Sequence, residues 1–122
     1  MSHIVTVEIE IRDLEAVEAA CRRLGLKEPV HGKATLFQTE VEGILVQLPE
    51  WHYPIVCDLA GGNIQYDNYK GRWGDEKYFD SFKQAYTVEK ATLEARRQGY
   101  EAFEEPLEDG SIRLTINYGG AA

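Results

Sequence analysis

The chain has 122 residues, 43% hydrophobic and 28% charged, which suits one folded core and excludes a disordered or low-complexity chain. Its 21 acidic and 13 basic residues leave a net charge of −8. That balance opposes the phosphate neutralisation behind nucleic-acid binding, and no run approaches the ~20 consecutive apolar residues of a membrane span.

Met1-Ser2-His3-Ile4 lacks the basic and apolar regions of a secretion signal, so the chain is expected in the cytoplasm or its organellar equivalent. Val5, Val7, Ile9 and Ile11 alternate with Thr6, Glu8 and Glu10, the period of a strand with one buried face. Asp13 stands where a helix N-cap belongs. Leu14, Val17, Cys21 and Leu24 follow at helical spacing, and Gly25 ends the helix. Arg22 and Arg23 fall in its last turn, where cations suit the helix dipole.

Beyond Pro29 and Gly32, residues 35–39 and 44–48 read as two strands joined through Glu40 to Gly43. Residues 55–59 and 63–66 read as a second pair joined by Ala60-Gly61-Gly62, since adjacent glycines supply positive φ. Asp75 precedes a long helix expected over about 76–98, with Phe79, Phe82, Tyr86 and Leu93 on one broad face and Gly99 at its end. Phe103, Glu105 and Leu107 lead into Asp109-Gly110, and Ile112, Leu114 and Ile116 return from it as a hairpin. Residues 119–122 are expected to be a flexible tail.

The order β-α-β-β-β-β-α-β-β implies an α+β fold over residues 1–118 as one domain, with a mainly antiparallel sheet and two helices on one face. A crossover through the first helix would add one parallel pair to that sheet.

Cys21 lies on a helix face and Cys57 in a strand, so both are expected as reduced core residues and not as a disulfide framework. Gly61-Gly62 precedes a strand and not a helix, so it is no phosphate loop. His3, His31, His52, Cys21 and Cys57 show no zinc spacing. Cys57 with His31 or His52 supplies the residue types of a catalytic triad, but its apolar run would quiet the thiol. The acidic pairs at 40 and 42, 104 and 105, and 108 and 109 sit at expected hairpin ends, where solvent keeps carboxylates ordinary. No cofactor, metal or catalytic set is expected.

The concentration of aromatics is the strongest functional signal. Nine of the thirteen Phe, Trp and Tyr residues fall between Trp51 and Tyr86. Within that stretch, Tyr66, Asp67, Asn68, Tyr69, Arg72 and Trp73 are the expected binding residues, in a loop that Gly71 and Gly74 free from ordinary backbone limits. Arg beside Trp is a pairing found at binding hot spots.

Met1-Ser2-His3-Ile4, Ile11-Arg12-Asp13-Leu14, Tyr66-Asp67-Asn68-Tyr69, Gly71-Arg72-Trp73-Gly74 and Asp109-Gly110-Ser111-Ile112-Arg113-Leu114-Thr115 together cover the length of the chain. In these blocks the chain resembles the domain-of-unknown-function family that contains the conserved plastid hypothetical reading frame thirty-five. The resemblance implies a compact cytosolic or stromal protein with no catalytic residues to carry over. It also implies an accessory role beside an AAA-type ATPase or a ferredoxin-like protein.

Three functional expectations follow. The first is a non-catalytic binding or adaptor domain whose contact surface is the aromatic loop from Tyr66 to Gly74. The second is a small-molecule or enzyme pocket built from Asp58, Tyr66, Asp67 and Arg72 and closed by Trp51 and Trp73. The third is a homodimer through the exposed edge of the last hairpin.

Overall fold

A computed structural model describes residues 4–7, backbone only, and residues 10–118. The expected tail at 119–122 and the middle of the expected first strand, Glu8 and Ile9, lie outside the described residues. The elements are β1 (Ile4–Val7), α1 (Leu14–Leu24), β2 (Val30–Leu36), β3 (Thr39–Val46), β4 (Ile55–Asp58), β5 (Asn63–Asp67), α2 (Glu76–Arg97), β6 (Glu101–Pro106) and β7 (Ile112–Asn117). The fold is α+β. The chain forms two compact units, Met1–Tyr86 and Thr87–Ala122, and the break falls within α2.

The first unit holds a five-stranded sheet in the order β1-β5-β4-β3-β2. Every neighbouring pair is antiparallel, so the crossover through α1 adds no parallel pair. The register aligns Ile44 with Cys57 and Cys57 with Ile64, and Val46 with Ile55. Alternation puts Tyr66 on the face of Ile64. All six are buried. Tyr66 packs on Phe79 of α2, and Cys21 of α1 approaches Cys57, so α1 and the first half of α2 cover this one face. The Tyr86 hydroxyl accepts the backbone N–H groups of Arg12 and Asp13, each at 3.2 Å, tying the start of α1 to α2.

The caps form as the chemistry requires. Asp13 accepts the Ala16 N–H, and Gly25 closes α1 at φ 69°. Asp75 accepts the Lys77 N–H at 2.9 Å. Gly99 ends α2 at φ 82°. One detail of α1 differs from its pattern. Leu14 is exposed, and Ala16, Val17, Ala20 and Cys21 make the buried stripe instead.

The β2–β3 turn also lies elsewhere than expected. It falls at Phe37-Gln38, not at residues 40–43, and β3 runs straight through Glu40 and Glu42, which remain in solvent. Phe37 takes φ 59°, a left-handed conformation that non-glycine residues rarely adopt, so a bulky residue gave no turn signal. β3 pairs with β4 only over Ile44–Val46, whereas its pairing with β2 continues to the turn. At the departure point Gly32 faces Gly43. A Cβ on Gly43 would lie 2.6 Å from the Cys57 carbonyl oxygen and 2.9 Å from Val56 Cγ1, so only glycine permits this close passage. The free part of the hairpin carries the Phe37 ring to 6.0 Å from that of Trp73.

In the second unit, β6 and β7 make a two-stranded antiparallel sheet after the last turns of α2. The expected turn around Asp109-Gly110 is present, with Gly110 at φ 89°. The Asp109 carboxylate accepts both the Ser111 N–H and its hydroxyl, which holds the Asp109 carboxyl below its usual range.

Candidate functional site

Two loops build the site: the segment from Leu48 to Pro54 after β3, and the segment from Asn68 to Asp75 between β5 and α2. Trp51 anchors the first. It is buried, with its ring 5.6 Å from Tyr66 and 6.0 Å from Phe79. Its indole N–H donates to the Asp75 carbonyl at 3.0 Å. A Cβ on Gly74 would overlap the Trp51 ring atoms, so this position admits no side chain where the second loop crosses the first. The His52 N–H donates to the Trp73 carbonyl at 2.6 Å and stitches the two loops together.

The second loop is strained and pinned. Tyr69 and Lys70 both take positive φ, 48° and 54°, followed by Gly71 at 94°. Left-handed non-glycine residues cost about 1–3 kcal/mol each and persist only where their surroundings fix them. The fixing groups are Asp67 and Asn68, both buried. Asp67 Oδ1 accepts the Tyr69 N–H at 3.2 Å. The Asn68 carbonyl accepts from Gly71 and Trp73 at 3.0 and 2.9 Å, and its side-chain amide donates to the Gly74 carbonyl at 3.3 Å. Asp67 Oδ2 is buried and, among the described residues, has no hydrogen-bond partner.

The six expected binding residues therefore divide. Tyr66, Asp67 and Asn68 are buried and hold the loop in shape. Tyr69 and Trp73 are half-buried, and Arg72 is exposed. Around Trp73 gather Tyr69, stacked at 4.7 Å, Tyr53, edge-on at 5.6 Å, His52 at 5.5 Å and Phe37 at 6.0 Å. The Arg72 guanidinium lies 5.3 Å over the Tyr69 ring, a cation–π contact that rigidifies both. Phe37, His52 and Tyr53 were not among the expected contact residues. Tyr53 stood within the aromatic-rich stretch and was legible there. Phe37 reaches the site only through the curled hairpin and left no local signal.

The second set of expected residues does not converge. Asp58 is opposite Asn63 at the far end of β5 from Asp67. Four residue steps along the strand separate these levels, about 13 Å. Asp58 is exposed and accepts the Gly61 N–H at 3.2 Å. It borders a different hollow of about 350 Å³, together with His31, Glu42 and Cys57. Burial pushes the Cys57 thiol up to about 12, so it is no ready nucleophile there. Among the described residues, no group of three or more His, Cys, Asp and Glu side chains could hold a metal ion. Nor is any described helix long and apolar enough to cross a membrane.

Comparison with family models, with curated proteins and with solved structures gave no match.

Proposed function

We propose that this chain is a non-catalytic binding domain whose contact surface is the outer aromatic group: Tyr69, Arg72 and Trp73, joined by Phe37, His52 and Tyr53. One observation carries the reading. A loop with two consecutive left-handed non-glycine residues is held by a buried Asp and Asn, and beside the exposed Lys70 that loop presents a Tyr, an Arg and a Trp to solvent. Strain of this kind persists where a surface must keep its shape. Tyr, Arg and Trp are the residues that dominate binding energy at protein interfaces, because their large planar groups bury much area with few rotors to freeze. The partner is then a protein, and by the family resemblance an AAA-type ATPase or a similar assembly in the cytoplasm or stroma.

Replacing Arg72 or Tyr69 by Ala tests the reading. Each variant should lose about 2 kcal/mol of partner binding, roughly thirty-fold in Kd, while its melting temperature stays close to that of the parent. If both variants unfold, these side chains serve the interior and the surface reading fails.

A further inference from the structure

Among the described residues the β6–β7 sheet has two strands, so each strand has one edge that pairs with no further described strand. A two-stranded sheet is marginal on its own in water. The two edges differ in chemistry. β6 carries Glu101, Glu104 and Glu105, all exposed, and ends in Pro106, which lacks an N–H. Charges and proline are how proteins protect an edge from unwanted pairing. β7 reads Ile-Arg-Leu-Thr-Ile-Asn, rich in strand formers and free of Pro and Gly. Its one charge, Arg113, is answered within the hairpin by Glu105 at 3.3 Å. Ile112, Leu114 and Ile116 share one face of the strand, and each is only half-buried.

We propose that β7 pairs antiparallel with β7 of a second copy of this chain, giving a closed dimer with a four-stranded sheet β6-β7-β7-β6. The charge pattern selects a second copy as the occupant, because β7 is complementary to itself. In a two-fold pairing centred on Leu114, Ile112 meets Ile116 and Arg113 meets Thr115. Centred on Thr115, Leu114 meets Ile116 and Arg113 meets Asn117. Neither register opposes like charges, and both continue the apolar row across the new boundary on one face. The β6 edge fails the same test: a two-fold centred on Phe103 sets Glu101 against Glu105. An isologous contact of this kind uses the same patch on both copies and stops at two.

Light scattering on the full chain, at low and high loading, tests the proposal. The parent protein should reach twice the chain mass at high loading. Thr115→Lys should hold it at the single-chain mass with an unchanged far-ultraviolet circular dichroism spectrum, because Thr115 is exposed and the new cation meets Arg113 or its own counterpart in the second copy. Glu101→Lys, on the guarded edge, should leave the dimer intact. A parent protein that stays at single-chain mass, or that grows beyond two chains, overturns the proposal. So does a Thr115→Lys protein that still dimerises, or a Glu101→Lys protein that does not.

Discussion

Two aromatic groups stand on the two sides of one loop crossing, and they are used differently. The inner group, Trp51, Tyr66 and Phe79, is buried, with ring centroids 4.7 to 6.0 Å apart. The outer group around Trp73 has the same residue types and similar spacings, yet its members keep part of their surface in water. Residue chemistry alone does not separate them. What separates them is backbone: Trp51 is clamped against Gly74, where no side chain fits, whereas Trp73 follows the left-handed Tyr69 and Lys70 in a loop whose rings stay partly in solvent. Aromatic content marks where a site can be; the backbone decides which rings serve the interior.

The comparison breaks most visibly at Trp51. Trp51→Ala should cost about 3–5 kcal/mol in urea unfolding, since it empties a buried site between Tyr66 and Phe79. Trp73→Ala, at a half-buried position, should cost clearly less; equal losses would erase the distinction. The two rings can also be read directly. In Trp51→Phe the remaining Trp73 should emit at longer wavelength and be quenched more by acrylamide than Trp51 is in Trp73→Phe.

The interior behind the inner group responds to alkali. Burial raises the Cys21 thiol from 9.0 to about 11 and that of Cys57 from 9.0 to about 12. Below pH 9 both thiols are protonated whether the chain is folded or not, and their contribution is fully present. Above it the unfolded chain ionises first, so stability falls as pH rises through 9 toward 11 and 12. Urea midpoints measured across that window should decline. Replacing both cysteines by Ala should flatten the decline while lowering stability at neutral pH.

The smallest effects belong to the outer loop. Tyr69→Ala and Arg72→Ala should each shift stability by less than about 1 kcal/mol, because Arg72 is exposed and Tyr69 is half-buried. Lys70→Gly should raise it by under about 1 kcal/mol, because relief of the φ of 54° is partly offset by the greater freedom of glycine in the unfolded chain.

Much of the fold was legible because its signals are local. Asp13, Gly25, Asp75 and Gly99 mark helix ends by chemistry that acts within one turn, and all four do so here. The Gly61-Gly62 turn marked β5, and alternation marked β7. The same rule puts Tyr66 beside Ile64 on the helix-covered face, so its burial could have been read from the strand itself. The β2–β3 turn was not legible, because Phe37 takes a conformation its type disfavours, and its ring neighbour Trp73 is distant in sequence. The distance between Asp58 and Asp67 was hidden for a simpler reason. Both are near turns in sequence, but they lie at opposite ends of a hairpin.

The most direct test of the outer group is a parallel affinity capture from the native host with the parent chain and the Tyr69→Ala/Arg72→Ala double variant, melting temperatures being taken on the same preparations. The account predicts at least one protein held by the parent and lost by an equally stable double variant. Recovery of the same proteins in the same amounts from both would contradict it.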